Sequence, residues 1–382
     1  MEKLRRRIRK YPLVIVFFLF LFGFSVFDAL YPKRASSELE NRSLAQYPAI
    51  TWNGLRTNQW MVSYESYVKD QFALRDGWIG LKSRCELVLL RKTENNGIWI
   101  GKDGYLFTKF LALDDEKRYE KNLSALEKFA QRHPGQVDVM IVPSASEVLT
   151  AKLPWKAPVA DESAYLDEIR ARLSPAAAVY DVRETLSQHA QDYIYYRTDH
   201  HWTTAGACLA YTQYVQAKGL PVFDTAAAKA VEVKDFYGTH YSSARNYNVV
   251  PDTITYYDLP NTLTVYTTGA DGKVTEQAGG LYDTDKFAVR DKYAAFLRGN
   301  NGYSVLQGSG TGSILVVKDS FANSFVPFLT ADYATIGIVD YRQNVDKLDA
   351  IMEKGGYDTV LFLYSFDGFS TDSYFAARIA TP

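Results

Sequence analysis

The sequence predicts an α/β fold built on a mainly parallel β-sheet, and three patterns indicate it. Short runs of apolar and β-branched residues recur along the chain, as at 137–142 and 359–363. Segments with the apolar spacing of amphipathic helices separate these runs. The runs are apolar throughout rather than alternating, which is typical of parallel strands buried on both faces. We therefore expect a central sheet covered by helices on each side.

The N-terminus predicts a membrane anchor. Residues 1–10 hold six Lys and Arg side chains, and residues 11–27 carry no charge. A membrane-spanning helix needs about 20 residues, a length that this run reaches by extending to about Tyr31. We predict a cytoplasmic tail at 1–10, a transmembrane helix at 11–31 and the rest of the chain outside the cytoplasm. A cleaved signal peptide is the alternative, although residues 25–28 match a cleavage site poorly.

Bulk composition narrows the functional classes. The formal net charge is −1, which favours neither nucleic acid nor an acidic membrane surface as a partner. The chain is rich in aromatic residues, with 28 Tyr, 21 Phe and 6 Trp. Most of these should fill the core, while exposed ones would suit a carbohydrate. Cys85 and Cys208 can form a disulfide outside the cytoplasm, but each lies in an apolar helical pattern where a free thiol is ordinary.

The region 32–95 is predicted to be a juxtamembrane linker followed by helices. Apolar residues recur at helical spacing from 52 to 91, with a break at 75–77. A hairpin is predicted at 98–107, because two apolar triplets flank a turn at 101–104. The remaining region, 96–382, is expected to hold the catalytic domain, as one large domain with an insertion or as two domains.

The region 96–382 alternates between strand and helix patterns. The predicted strands are 137–142, 178–180, 193–197, 314–317, 334–339 and 359–363. The predicted helices are 114–132, 161–173, 203–216, 321–329 and 343–354. The stretch 225–290 breaks this rhythm with β-branched and aromatic runs, so we predict a β-rich insertion there.

Two short segments hold residues suited to nucleophilic catalysis. Ser320 follows the strand at 314–317 and opens a helix, at the strand end where open α/β sheets bind ligands. Asp199 and His201 are separated by one residue and point the same way if the backbone is extended. A serine needs an imidazole to take its proton and a carboxylate to orient that imidazole. Ser320, His201 and Asp199 are therefore a candidate catalytic triad, with His200 expected to face the opposite side.

Each segment also has another interpretation. Asp319 or Ser320 would serve well as a plain helix cap. The His200–His201 pair can be structural, hydrogen-bonded in the core. It can also join Asp199 in a metal site, although no further ligands stand out at informative spacing. From the residues alone these alternatives stay open, and we predict no metal and no cofactor.

Weaker signals mark residues that can line the same site. Gly299 and Asn300 can place an amide near an oxyanion, but Gly-Asn is more often an ordinary turn. Arg342 ends a strand and can bind a sugar or pair with Asp340. Ser144 lies at another strand end, after Pro143, and His200 is a further candidate for lining the substrate site.

The segment Asp199-His200-His201-Trp202 resembles the signature of the DHHW family. That family is similar to the SGNH hydrolase-like proteins of bacterial alginate O-acetylation. Further stretches of the resemblance are 38–42, 101–107 and 291–300, so the likeness covers most of the chain from about residue 36. The order Asp199, His201, Ser320 looks like a permuted form of the usual SGNH order. The alginate-type proteins have a different residue where this chain has His200.

The resemblance implies an SGNH-like three-layer fold with Ser320 as nucleophile, His201 as base and Asp199 as its orienter. It also implies an extracytoplasmic O-acetyltransferase or acetylesterase that acts on a cell-surface polysaccharide. A multi-pass membrane O-acyltransferase that supplies acetyl groups is an implied partner. One alternative is a non-catalytic, anchored glycan-binding or assembly protein. Another is a metal-dependent hydrolase built on Asp199, His200 and His201.

Overall fold

The computed structural model describes residues 11–246, 249–269, 271–344 and 346–380. These residues form two compact units. The first comprises residues 11–92 with Arg245 and Asn246, and the second comprises residues 93–244 and 249–380.

The first unit is mainly helical. A two-residue ladder pairs Ser36–Ser37 (β1) with Arg42–Ser43 (β2), and the helices are Pro12–Leu30 (α1), Trp52–Arg56 (α2), Gln59–Gln71 (α3) and Arg75–Val88 (α4). Among the described residues, α1 is the one helix that is long and apolar enough to cross a membrane.

The predicted break between two helices is present, but it lies at 72–74 instead of 75–77. The chain turns at 72–74, where Leu74 has a φ of 57°, and Arg75 begins α4. Asp76 lies in the first turn of α4, where its carboxylate interacts favourably with the helix dipole. The tripeptide at 75–77 therefore begins a helix instead of ending one.

The second unit is built on strands that in chain order are Glu94–Asn95 (β3), Ile98–Ile100 (β4), Leu106–Thr108 (β5), Val137–Val142 (β6), Ala178–Val179 (β7), Ala230–Phe236 (β8), Asp252–Tyr257 (β9), Thr262–Thr268 (β10), Val274–Gly280 (β11), Tyr303–Gln307 (β12), Ser313–Lys318 (β13), Thr335–Val339 (β14) and Thr359–Ser365 (β15). The antiparallel pair of β4 and β5 confirms the predicted hairpin. The strands predicted at 137–142, 178–180, 314–317, 334–339 and 359–363 are all present.

Within the described residues, eight strands form one mixed sheet in the order β11-β10-β12-β14-β13-β15-β6-β7. The five strands from β14 to β7 in this order are parallel, and β10, β11 and β12 are antiparallel. In the central register, Lys318 of β13 lies opposite Leu363 of β15, and Ser365 of β15 lies opposite Val142 of β6. The carboxyl ends of β13, β15 and β6 therefore lie at the same end of the parallel strands.

Helices cover both faces of the sheet, as the apolar strands predict. The α-helices of the second unit are Glu116–Arg132 (α5), Ala145–Val148 (α6), Glu162–Leu173 (α7), Arg183–Gln188 (α8), Thr204–Ala217 (α9), Thr239–Ala244 (α10), Leu348–Gly355 (α11), Phe366–Thr371 (α12) and Phe375–Ile379 (α13). Alternate residues of β13 enter different cores. Ile314 packs in the core that contains Tyr211 of α9, and Leu315 packs in the core that contains Phe129 of α5. The result is a three-layer α/β fold.

The helix predicted at 321–329 is wrong in type. The chain instead forms two 3₁₀ segments, Ser320–Ser324 and Val326–Ala331. Pro327 has no N–H to donate to residue 323, and its ring would clash with that carbonyl in an α-helix. The helix predicted at 343–354 begins later, at Leu348.

The strand predicted at 193–197 is not part of any ladder in the described structure. Tyr195 instead makes an isolated antiparallel bridge to Trp202. The Thr203 N–H donates to Ile194 O at 2.9 Å, which tightens this loop. Asp199 and His201 therefore lie on a compact bend between the two bridged residues.

The β-rich character predicted for 225–290 is confirmed. β8 and β9 form a separate antiparallel pair. β10 and β11, however, extend the main sheet beyond β12. Both Cys85 and Cys208 are free thiols.

Candidate active site

Ser320 begins the 3₁₀ segment that follows β13. The Asp319 carboxylate accepts hydrogen bonds from the Phe321 N–H at 2.9 Å, from the Ser365 N–H at 2.9 Å and from the Ser365 hydroxyl at 2.6 Å. Asp319, rather than Ser320, is therefore the capping residue. A Cβ at Gly368 would lie 2.1 Å from Asp319 Oδ2, so only glycine allows this close approach. These contacts hold the turn and leave the Ser320 hydroxyl to other partners.

The loop that carries Asp199 and His201 is organised by the buried carboxylate of Asp252, at the start of β9. Asp252 accepts hydrogen bonds from the N–H groups of Arg197 and Thr198 at 2.9 and 2.7 Å. It also accepts from the hydroxyls of Tyr193 and Thr198. A carboxylate with several donors rigidifies the backbone that it binds. This network sets the bend on which Asp199 lies.

The structure brings Ser320, His201 and Asp199 together. The Ser320 Oγ lies 2.7 Å from His201 Nε2, and His201 Nδ1 lies 2.5 Å from Asp199 Oδ1. Asp199 Oδ1 also accepts the His201 N–H at 3.0 Å, and Asp199 Oδ2 accepts the Thr239 N–H at 2.7 Å. His201 and Asp199 are 5% and 3% exposed, whereas Ser320 is half-buried. The hydroxyl is therefore the member of the three that solvent and a ligand can reach.

The local environment sets the protonation states of this pair. Burial lowers the pKa of His201 to about 4, with a further contribution from His200 and an opposing one from Asp199. Burial favours the neutral form of Asp199, but the two imidazoles and the hydrogen bonds outweigh it and hold its pKa well below the usual range. At neutral pH the imidazole is uncharged and the carboxylate is ionised. His201 Nδ1 then donates to Asp199, which leaves the Nε2 lone pair to accept a proton from Ser320.

Tyr293 completes the wall beside the imidazole. Its ring stacks on His201 with centroids 4.0 Å apart and planes inclined by 16°. Its hydroxyl donates to Ser320 O at 3.1 Å and to Ser324 Oγ at 3.3 Å. One side chain thus restrains both the base and the segment that bears Ser320.

The orientation predicted for His200 is wrong. The rings of His200 and His201 lie side by side, with centroids 3.9 Å apart. The prediction assumed extended backbone, in which neighbours point to opposite faces, and the bend at 198–201 removes that alternation. A metal ion could be bound by three ligand atoms, one each from Asp199, His200 and His201, because these atoms lie within 4.8 Å of one another. Both ring nitrogens of His201 and both oxygens of Asp199 already have hydrogen-bonding partners in the protein.

Two adjoining depressions both have His200 in their walls. One is a largely enclosed, mainly apolar cavity with Ser144 and Glu162 in its wall, lined also by Phe107, Phe110, His240, Phe321 and Phe366. The other is an open cleft that contains Ser320 and Arg342. Arg342 therefore lines the same cleft as Ser320, whereas Ser144 lines the adjoining cavity. The Arg342 guanidinium also pairs with Asp340 at 2.5 Å, the alternative role considered for it.

Glu162 is a buried acid within the cavity wall. It accepts the Ser144 N–H at 2.8 Å, and its other oxygen lies 2.6 Å from Ser144 Oγ. Burial raises the pKa of Glu162 to about 7, against the hydrogen bonds from Ser144, which lower it. This carboxyl group is therefore partly protonated at neutral pH.

The proposed use of Gly299 for an oxyanion is wrong. Its N–H donates to Phe296 O at 3.0 Å and its φ is 95°, so Gly299 forms a turn. The Phe321 N–H at the start of the 3₁₀ segment is also occupied, by Asp319. Asn300 Oδ1 accepts from Lys318 Nζ at 3.2 Å and from Asn323 Nδ2 at 3.0 Å. Its amide nitrogen stays a predicted oxyanion donor.

The sequence did not predict the role of three residues that stabilise this site. They are Asp252, Tyr293 and Trp202, whose indole N–H donates to Phe321 O. Tyr293 lies in one of the stretches of the family resemblance, which was the available signal. Asp252 carried no signal, because a lone Asp at the start of a strand usually belongs to a turn.

The three-layer α/β fold is SGNH hydrolase-like, and it brings a serine, a histidine and an aspartate together. The family model described as DHHW protein matches residues 136–339, just over half of the chain. The chain therefore belongs to the DHHW family, as its sequence predicted.

Two solved structures show the same fold, and a third is a weaker match. A DHHW family protein from Eubacterium siraeum is 24% identical, with a TM-score of 0.64, and the match covers 75% of this chain and 95% of that one. Bacillus cereus PatB1, solved with a sulfonyl adduct, is 19% identical, with a TM-score of 0.60 over 74% of this chain and 98% of its own. The O-acetyltransferase domain of Pseudomonas putida AlgJ is 16% identical, with a TM-score of 0.44 over 74% of this chain and 98% of its own. No curated protein matches the chain in sequence.

Proposed function

We propose that the chain is an extracytoplasmic O-acetyltransferase or acetylesterase that acts on a cell-surface polysaccharide. Ser320 is the nucleophile, His201 the general base and Asp199 the residue that orients the base. One observation carries the proposal: His201 bridges Ser320 Oγ and Asp199 Oδ1 through its two ring nitrogens, at 2.7 and 2.5 Å. Such a bridge is the arrangement that activates a serine hydroxyl.

In the first half-reaction the Ser320 hydroxyl attacks the acyl carbonyl carbon of the donor. Its proton passes to His201 Nε2, and the carbonyl oxygen becomes an oxyanion. As the tetrahedral intermediate collapses, the bond to the leaving group breaks and His201 returns the proton to that group. Ser320 then carries the acyl group as an ester. Asn300 Nδ2 and the backbone N–H of Ser320, at the start of the 3₁₀ segment, are the proposed donors to the oxyanion.

In the second half-reaction His201 takes a proton from the acceptor hydroxyl, which attacks the acyl-serine. Collapse restores the Ser320 hydroxyl with that proton. A sugar hydroxyl as acceptor makes the chain a transferase, and water makes it an esterase. Transfer rather than hydrolysis requires a site that excludes water and positions the sugar hydroxyl.

Three parts of the proposal come from the family resemblance. The transferred group is acetyl, the acceptor is a polysaccharide, and a multi-pass membrane O-acyltransferase is the proposed donor of acetyl groups. The proposed location is a single-pass membrane protein with α1 as the anchor and the second unit outside the cytoplasm. The length and apolar character of α1 support this proposal, as does the cationic segment that precedes it.

Labelling with a serine-directed fluorophosphonate tests the nucleophile. We expect the wild-type protein to be labelled and Ser320→Ala to lose the label. Ser146→Ala is the matched control, because Ser146 lies in the wall of the adjoining cavity and bonds to Ser144 instead of an imidazole. A sulfonyl fluoride is a second probe, prompted by the sulfonyl adduct of PatB1. Equal labelling of wild type and Ser320→Ala would refute the assignment and favour a non-catalytic glycan-binding protein.

A further inference from the structure

The first unit has its polar residues inside and many of its apolar residues outside. The buried side chains of α3 are Asp70 and Gln71, and those of α4 are Arg75 and Ser83. Arg75 is held by Glu40, which is itself buried, at 3.0 Å. Charged side chains are rarely buried in water-soluble domains unless they are paired, and large apolar side chains normally fill the interior. This distribution is the reverse of that expected for a unit surrounded by water.

The exposed apolar side chains of α4, together with Leu74 just before it, form one stripe. Leu74, Trp78, Leu81 and Val88 are 49%, 47%, 53% and 73% exposed. Cys85, which is half-buried, fills the remaining position of the same stripe. Successive members are separated by three or four residues, which places them on one face of an α-helix. The neighbouring α3 likewise exposes Met61 and Val68, and Phe72 follows it.

Contacts within the first unit place this stripe beside the membrane-spanning helix. The Phe72 ring packs against the Phe24 ring of α1, with centroids 5.1 Å apart. The Ala73 N–H donates to Asp28 Oδ1 at 2.6 Å. Lys33 Nζ, just beyond α1, donates to Gln71 O at 3.3 Å. The turn between α3 and α4 is therefore attached to the last turns of α1.

The depth of this attachment follows from helix geometry. Phe24 precedes the end of α1, Leu30, by six residues, and each residue rises 1.5 Å, so Phe24 lies roughly 9 Å inside the end of the helix. The 19 residues of α1 match the hydrocarbon thickness of about 30 Å. If α1 spans the bilayer, Phe72 lies at the depth of the acyl chains. Leu74 follows Phe72 by two residues, so the stripe begins close to this contact.

We propose that α3 and α4 form an interfacial membrane element, with the stripe from Leu74 to Val88 in contact with the lipid of the leaflet that holds the C-terminal end of α1. The inference rests on the proposed anchor. Amphipathic helices that lie in the interface present an apolar face with aromatic residues to the lipid, and Trp is enriched at this depth. The buried Asp70, Arg75 and Glu40 form the polar interior that joins these helices on the side away from the lipid.

Spin labels on the full chain in phosphatidylcholine nanodiscs test the proposal. A background of Cys85→Ala with Cys208→Ala receives one new cysteine, at Leu81, Lys82 or Phe20. Lys82 is the matched control, because it is the next residue of α4 and its side chain is 66% exposed. We expect the label at 81 to be severalfold more accessible to oxygen than to a water-soluble nickel reagent, and the label at 82 to show the reverse.

The three positions separate the possible outcomes. A label at 20 that is accessible to nickel means that the anchor itself is wrong. A lipid-facing label at 20 with a nickel-accessible label at 81 overturns the interfacial proposal alone. A label at 81 that neither reagent reaches means that a protein, such as a second copy of the chain, covers the stripe instead of lipid.

A second measurement needs no cysteine background. Brominated lipids quench tryptophan emission on contact, so we expect quenching of the wild-type protein in brominated nanodiscs to fall in Trp78→Phe. Trp99→Phe is the control, because Trp99 is buried in the second unit and only 7% exposed. Identical quenching of the wild type and Trp78→Phe would overturn the proposal.

Discussion

The indole Nε1–H of Trp202 donates a hydrogen bond to the carbonyl oxygen of Phe321 at 2.8 Å, and both residues are buried. Trp202 follows the candidate base directly, and Phe321 follows the candidate nucleophile directly. The two segments lie far apart in the chain, so this bond joins the two halves of the site. It gives the tryptophan of the DHHW signature a structural role.

Replacing Trp202 by Phe should loosen this junction. The Phe321 carbonyl would lose its buried donor, at a cost of about 1–3 kcal/mol in the free energy of unfolding. We expect esterase activity to fall as well, because Ser320 and His201 lose a shared restraint. Urea denaturation and initial-rate kinetics measure the two effects.

Trp99→Phe is the control for this change of ring. Trp99 is also buried, but its Nε1 has no hydrogen-bonding partner among the described residues. Its replacement should cost less stability than Trp202→Phe and leave kcat unchanged. An equal loss in both variants would show that the Trp202 bond adds nothing beyond packing.

Asp199→Asn should remove most of the activity without unfolding the protein. An amide at this position no longer favours the His201 tautomer that has its proton on Nδ1. In serine proteases the equivalent change lowers kcat about 10⁴-fold. Asp192→Asn is the control, because Asp192 makes a similar bond at 2.8 Å to the exposed His189. A fall of less than tenfold in kcat for Asp199→Asn would contradict the assigned role.

The pH profile should reflect the low pKa of His201. Activity requires a neutral imidazole, so the rate is lost as the pH falls through the pKa of that group. Because burial lowers this pKa to about 4, kcat/KM should stay level well below the usual histidine range. His200 contributes to the lowering, so His200→Gln should shift the acid limb to higher pH. A wild-type acid limb at or above pH 6.5 would contradict this prediction.

Glu162 should make stability depend on pH. Its pKa is raised to about 7, so between pH 4.5 and 7 the unfolded chain loses the proton that the folded protein keeps. The contribution of Glu162 to the free energy of unfolding is complete below the pKa that this group has in the unfolded chain. This contribution is lost as the pH rises towards 7, by roughly 3 kcal/mol in total.

Glu162→Gln removes this titration and keeps one acceptor for the Ser144 N–H, while its amide nitrogen replaces the oxygen that accepts from the Ser144 hydroxyl. The free energy of unfolding, measured by urea titration, should therefore fall less from pH 4.5 to 7 in the variant than in the wild type. Parallel pH profiles for the two proteins would be evidence that Glu162 is ionised when folded.

Chelation should leave the activity unchanged. Asp199, His200 and His201 are close enough to hold an ion, but His201 and Asp199 already use their nitrogens and oxygens in bonds within the protein. Dialysis against EDTA followed by rate measurement provides the test. Activity that disappears on dialysis and returns with zinc would favour the metal-dependent hydrolase.

The sequence by itself predicted the five parallel strands, most of the helices between them and the residues of a candidate triad. These features are local, because apolar runs, helical spacing and reactive residue types are visible within a few positions. The family signature added the pairing of two remote segments, which no local pattern contains.

Only the tertiary structure decided which distant groups meet. Three features join residues that lie far apart in the chain. Tyr293 stacks on His201, Asp252 accepts hydrogen bonds from the loop at 197–198, and β10 and β11 extend the sheet with antiparallel strands. Such contacts depend on how whole elements pack, which local periodicity does not encode. The same reason explains why the orientation of the His200 side chain was not predicted. A bend that the Asp252 network imposes on the backbone sets this orientation.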